Sequence, residues 1–262
     1  MEGKGRQRCR PNFFGDEREE TLGYRLDFSV IVGALPQLLW GCVGTLGLAV
    51  TGSIVAIVIG ICGAMIRESR FKPARWLVMA FVELIRNTPF LVQIYFIFFA
   101  LPLLGEQLGR LLVGLGAAVP PANYLLIGPW PTAVMALGLN GGAYAIEIIR
   151  GGVQSIPKGQ WEAGLALGLR RGAVFRLIVL KPALRAVFPS LTSQLTLLTL
   201  TTSIAGAIAA YELFTVAKFV DSQLYRPFEI YFTVTVFYFA ISWAMNVLFA
   251  SIGRRYFSYP LR

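Results

Sequence analysis

Long apolar runs, each about 20 residues or more, alternate with short polar segments along most of the chain. A run of that length is what an α-helix needs to cross a hydrocarbon core about 30 Å thick. The pattern therefore predicts an all-α membrane protein with about five spans. The first run, about Val30 to Ile66, is too long for one perpendicular span and too short for two joined by a turn. It predicts an interfacial or tilted start around LPQLLWG, followed by a span from about Gly44. The others are expected at about Trp76 to Leu104, Pro131 to Ile149, Ala186 to Ala210 and Ile230 to Ile252. Residues 1–29 carry no such run, are rich in Arg and Glu, and predict a disordered tail. Residues 30–256 then form one membrane domain, and 257–262 a short C-terminal tail.

The segment at about 150–185 breaks the pattern, being basic, amphipathic and punctuated by glycine. Pro157 and Lys158 suit a helix start, Trp161, Leu165 and Leu169 fall on one helical face, and Gly168 suits a C-cap before a second helix, AVFRLIVL. Such a helix outside the bilayer has two readings. It rests on lipid headgroups, for which Trp161, Arg170 and Arg171 are suited, or it docks in the groove of a soluble partner. Amphipathicity alone favours the first.

Composition agrees with the membrane assignment. The 262 residues are 56% hydrophobic and 15% charged, with a mean hydropathy of +0.63, against roughly 45–50% apolar usage in soluble domains. The net charge of +10 could suggest nucleic acid. Its distribution instead follows the positive-inside rule, because most basic residues lie in 67–75, 150–185 and the C-terminus, all on one side in a five-span chain. The opposing loops hold Arg110, Lys218 and Arg226. These charges put the 150–185 segment and the C-terminus in the cytoplasm and the N-terminus outside, although six basic residues in the tail pull the other way. Cys9, Cys42 and Cys62 have no metal spacing, and there is no histidine. No GxxxxGK[ST], GxSxG or HExxH occurs. The chain is thus not expected to be an enzyme, to hold a metal or cofactor of its own, or to bind nucleic acid.

Polar residues inside the apolar runs are the candidates for a transport route. Glu83, Arg86, Asn87, Thr88 and Gln93 interrupt the second run around Pro89; Arg86, Thr88 and Gln93 could line a path, while Glu83 and Arg86 could pair structurally. In the fourth run Thr192, Thr196, Thr199 and Ser203 recur on one helical face. Single hydroxyls more often bond back to helix carbonyls, whereas the whole stripe suits an aqueous route. Glu147, with Arg150, and Glu212 suit helix ends and subunit contacts.

The stretch GGAYAIEIIRGGVQSIPKGQWEAGLALGLRRGAVFRLIVLKPALRAVFPSL resembles ABC-importer permease subunits of the polar amino acid uptake family. That family's EAA loop runs Glu-Ala-Ala, three residues, Gly, about nine residues, then Ile-x-Leu-Pro. Glu162, Ala163, Gly168, Ile178 and Leu180 match it. FVELIRNTPFLVQIYFIFFALP, TSIAGAIAAYEL and the terminal GRRY extend the resemblance over about Leu35 to Tyr256. It implies an ABC type I importer permease bundle in a bacterial inner membrane, moving polar or general L-amino acids by alternating access. Gly159, Gln160, Glu162, Ala163 and Gly168 would form a coupling helix on a cytoplasmic ATPase dimer, which binds ATP and Mg. An extracytoplasmic solute-binding protein and a second permease subunit are the other implied partners. Three positions depart from the family pattern: Gly164 for Ala, Lys181-Pro182 for Pro-Gln, and Leu200 for Lys. They favour a paralogue over a second copy as the partner permease. The alternative is an ion-driven secondary transporter or a channel, which would show an inverted repeat or paired broken helices; no convincing repeat is legible.

Overall fold

The structure, a computed structural model, describes residues 26–114 and 128–257. The expected disordered tail and the C-terminal tail lie almost entirely outside the described residues. Every regular element described is helical: α1 (Ser29–Arg67), α2 (Lys72–Arg86), α3 (Phe90–Tyr95), α4 (Leu101–Gly114), α5 (Pro129–Gln154), α6 (Lys158–Ala166), α7 (Arg171–Val174), α8 (Leu180–Thr201), α9 (Leu213–Leu224) and α10 (Pro227–Phe257). A π-turn at Phe96–Ala100 joins α3 to α4 and another at Phe175–Val179 joins α7 to α8, while a 3₁₀ segment, Thr202–Ile208, follows α8. By length and apolarity α1, Phe90–Leu111, α5 and Pro227–Tyr256 can each cross a bilayer. Arg171–Ile208 and α9, bent by 49° at the break between them, are together long and apolar enough to make a fifth crossing.

Helices α1 and α5 form the centre. With no hydrophobic drive between helices in lipid, close approach of small residues gives their packing. A methyl group added at Gly60 would lie 2.6 Å from the Ala145 Cβ. Around this pair Leu48, Ala56, Ile94, Leu137, Leu198 and Ile208 make the main core. A second core joins the first half of α1 to α9 and the start of α10 through Leu38, Leu213, Val216 and Ile230.

Three expected boundaries move. The interfacial or tilted start expected around LPQLLWG is the first part of one unbroken 39-residue helix, about 58 Å long at 1.5 Å per residue, with no boundary at Gly44. Its early turns are covered by protein: Gly41 and Gly44 leave room for the backbone at Leu213 and Tyr211, and Thr45 Oγ1 accepts from the Leu213 N–H at 3.1 Å. The second span begins at Phe90, not Trp76, because Pro89 ends the helical run and leaves α2 as a separate helix. The fourth span does not end at Ala210 as a straight helix. It tightens to 3₁₀ and turns at Ala209 in the left-handed region, φ 57°. Glu212, fully buried, then caps α9 by accepting from the Phe214 and Thr215 N–H groups at 2.8 and 2.6 Å, with the Tyr238 hydroxyl donating at 2.8 Å. The helix-end role expected for Glu212 is the geometry observed.

Candidate functional site

The segment between α5 and α8 is a compact hairpin of helices. Pro157 precedes α6, and α6 closes in a Schellman motif. The Gly168 N–H donates to the Leu165 carbonyl at 2.9 Å and the Leu169 N–H to the Gly164 carbonyl at 3.3 Å. Gly168 has φ +78°, a conformation that a residue with Cβ adopts only at a cost. The inward face packs Ile156, Val174, Val179 and Ala183 with Trp161 and Leu169. Trp161 stacks on Phe175, centroids 6.2 Å apart, so this ring serves the hairpin's own core, not the lipid surface that the first reading required. Leu165, expected on the same face, is 42% exposed.

Gly159, Gln160, Glu162 and Ala163 are all exposed on the outer side of α6. Leu167, 78% exposed, adds an apolar residue just past the C-terminal end of the helix. Gly164, which stands where the family pattern has Ala, could loosen α6 as a glycine in a helix. It does the reverse, since a Cβ there would lie 2.9 Å from both Val174 methyls and 2.8 Å from Ile178 Cδ1; its absence lets α6 sit directly on the helix that follows. The π-turn at Phe175–Val179 accommodates Lys181-Pro182. A proline ring clashes with the carbonyl four residues earlier, here Ile178, and the π-turn opens the helix at that place.

The hairpin is tied to the bundle at its base. Glu147 on α5 receives Arg67 from the end of α1 at 3.2 Å and Arg150 at 2.6 Å. These contacts join α1 to α5 directly above the turn into α6.

The second feature is the break between α2 and α3. Its exposed carbonyls are held by Gln93, only 8% exposed. Gln93 Nε2 donates to the carbonyls of Ile85 and Thr88 at 2.7 and 3.0 Å and to Thr88 Oγ1 at 2.9 Å. Its Oε1 accepts from Asn140 Nδ2 on α5 at 3.0 Å. Gln93 is therefore a clamp, whereas Thr88 lines an adjoining cleft of about 350 Å³ with Asn140 and Tyr144 from α5 and Gln194 and Thr201 from α8. Arg86 is exposed and lies over the Tyr144 ring, 5.6 Å from its centroid. The structural pairing of Glu83 with Arg86 is replaced by a bond from Asn87 Nδ2 to Glu83 Oε2 at 2.9 Å.

The Thr stripe meets a different geometry from the one expected. Thr196 and Thr199 are buried against α10, with Thr196 Oγ1 3.2 Å from Asn246 Oδ1 and Thr199 Oγ1 3.2 Å from Met245 Sδ. Thr192 and Ser203 donate to the carbonyls of Phe188 and Leu200. Back-bonding to the preceding turn satisfies these hydroxyls, which lets Thr196 and Thr199 pack inside the chain while Thr192 and Ser203 stay partly exposed. The face of α8 that meets the cleft carries Gln194 and Thr201, and the sequence reading missed it. Their spacing of seven, and that of four between Asn140 and Tyr144, is the helical signal that could have found both pairs.

A helical bundle crossing the bilayer several times, with an exposed coupling-type hairpin tied to its central helices, is the architecture of an importer's transmembrane subunit. Residues 52–258 match the family described as binding-protein-dependent transport system inner membrane component, and the chain belongs to that family. It is 35% identical over 231 residues to the glutamine transport system permease protein GlnP of Escherichia coli (strain K12), covering 88% of this chain and 98% of that one. It is 31% identical to the L-cystine transport system permease protein TcyB of Bacillus subtilis (strain 168), over 90% of this chain and 93% of the relative. Among solved structures, an amino acid ABC transporter with histidines matches with a TM-score of 0.74 at 27% identity, over 88% of this chain and 99% of that chain. The MetNI methionine ABC transporter, at 20% identity and a TM-score of 0.64, shares the fold, over 86% of this chain and 98% of that chain. The protein is thus a multi-pass permease component of an ABC importer in the inner membrane, and the ion-driven and channel readings give way to this one.

Proposed function

We propose that the chain moves polar L-amino acids inward across the cytoplasmic membrane, driven by a separate ATPase dimer that binds ATP and Mg. The observation that carries this reading is α6. Gly159, Gln160, Glu162 and Ala163 face outward, while Trp161 and Leu169 lock the hairpin to the ends of α5 and α8. A force applied to α6 is transmitted to two spans as a rigid body. Hairpin and C-terminus face the cytoplasm and the N-terminus faces outward, in keeping with the basic residues of 67–75 and 150–185. A solute-binding protein delivers the substrate on the outer side, and a paralogous permease completes the pathway.

The cleft of Thr88, Asn140, Tyr144, Gln194 and Thr201 is the substrate passage. It offers amide and hydroxyl groups that suit a polar amino acid, with the Arg86 guanidinium over Tyr144 close enough to draw a carboxylate. Of the relatives, the names of GlnP and TcyB refer to glutamine and cystine. The test is affinity purification of wild type and Glu162→Lys, identification of the subunits that accompany each, and ATPase assay after reconstitution. An ATPase subunit held by wild type and lost or uncoupled in the variant supports the reading. A chain that purifies alone and passes amino acids without ATP refutes it.

A further inference from the structure

The end of α1 with Glu68 after it, the first half of α2 and the end of α5 line a polar pocket of about 260 Å³, formed by Arg67, Glu68, Arg75, Met79, Arg150 and Gln154. Part of its charge is spent internally. One carboxylate, Glu147, serves both Arg67 and Arg150, and Arg150 Nη1 also donates to Gln154 at 3.0 Å. Arg75 is exposed, and its guanidinium has no partner among the described residues. Three guanidinium groups thus face two carboxylates, Glu68 and Glu147, and the pocket keeps a positive charge with donors to spare.

The surroundings say which anion fits. Helix α2 turns Val78, Phe81, Val82 and Ile85 onto α1 and α5. Its outer side carries Trp76, Leu77 and Leu84 at 68, 73 and 63% exposure, with Phe71 at 65% just before the helix. This apolar strip runs up to Arg75. Tryptophan beside basic residues is the signature of the headgroup level of a bilayer, and basic pockets between membrane helices take anionic headgroups.

We propose that this pocket holds the phosphodiester headgroup of an anionic phospholipid, with its acyl chains lying along Trp76, Leu77 and Leu84. The lipid would fasten the α1–α2 corner to the leaflet beside Glu147, at the base of the α5–α6 hairpin. The proposal rests on the membrane placement given above and not on the cargo or the ATPase, so transport and lipid binding can fail separately.

The complex containing the full chain is purified in detergent and titrated with phosphatidylglycerol or phosphatidylcholine of identical acyl chains, and bound lipid is counted by native mass spectrometry. The expected result is a preference for phosphatidylglycerol that Arg75→Gln weakens about fivefold, the effect of one Arg at a membrane surface. Arg254→Gln, an exposed charge outside the pocket, should keep the preference. Met79→Glu, which puts a carboxylate into the same pocket, should abolish it and serves as the second variant. Equal binding of the two lipids, or equal loss in Arg75→Gln and Arg254→Gln, overturns the site. Binding of glycerophosphoglycerol as tight as that of the whole lipid overturns the membrane source and points to a soluble anion.

Discussion

Gly164→Ala is the sharpest test of how the hairpin is built, because alanine is the residue the EAA pattern carries there. The added methyl would stand 2.9 Å from both Val174 methyls and 2.8 Å from Ile178 Cδ1. Ile178 Cδ1 ends a flexible side chain and can rotate away, but Val174 is fully buried and β-branched, so it cannot. Overpacking of this kind costs about 1–3 kcal/mol, and the cost falls on the contact between α6 and the following helix. Limited trypsin digestion reads it at Arg171, the first residue of α7, where the chain must leave its helical form to enter the protease. If cleavage follows the population of the opened hairpin, its rate should rise about fivefold to about 140-fold. Val174→Ala alone should open the hairpin as well, through a cavity worth about 2 kcal/mol. In the double variant the alanine methyl takes the space the valine left, so the two effects should cancel by about 1–2 kcal/mol. A single Gly164→Ala digested at the wild-type rate, or a double variant equal to the sum of the two, would refute the packing argument.

Gly168→Val forces a β-branched residue to φ +78°, at about 1–2 kcal/mol or more; substrate-stimulated ATP hydrolysis should fall while the subunits still co-purify, and an unchanged stimulation would argue against a coupling role for this turn. Gln93→Leu leaves the carbonyls of Ile85 and Thr88 and the Asn140 amide without their partner, about 1–3 kcal/mol for each group kept from water; thermal unfolding of the solubilised chain should come at clearly lower temperature, whereas an unshifted transition would mean that Gln93 is not a clamp. Arg86→Met should raise the substrate concentration needed for half-maximal ATPase stimulation with assembly intact, and an unchanged concentration dependence in an assembled complex rejects its contact with substrate.

The sequence by itself determined the number of crossings, the position of the hairpin and the turn at Gly168. Each depends on local rules: the length of an apolar run, a proline before a helix, and a glycine where the backbone must be left-handed. Tertiary structure decided what those rules leave open. The early turns of α1 read as interfacial because nothing local shows that α9 folds back over them; Gly41, Gly44 and Thr45 gain their meaning only from Tyr211 and Leu213. Periodicity correctly placed Thr192, Thr196, Thr199 and Ser203 on one face of a helix. It could not say that Thr196 and Thr199 meet α10, while Gln194 and Thr201 meet the cleft. Gln93 likewise read as a route residue, since a polar side chain in an apolar run looks alike whether it faces substrate or closes a gap left by a proline. In a membrane protein apolar residues face lipid and core alike, so a helix's sequence shows that it is buried in something without showing in what. Which face meets protein is set by the neighbouring helix, and that information lies elsewhere in the chain.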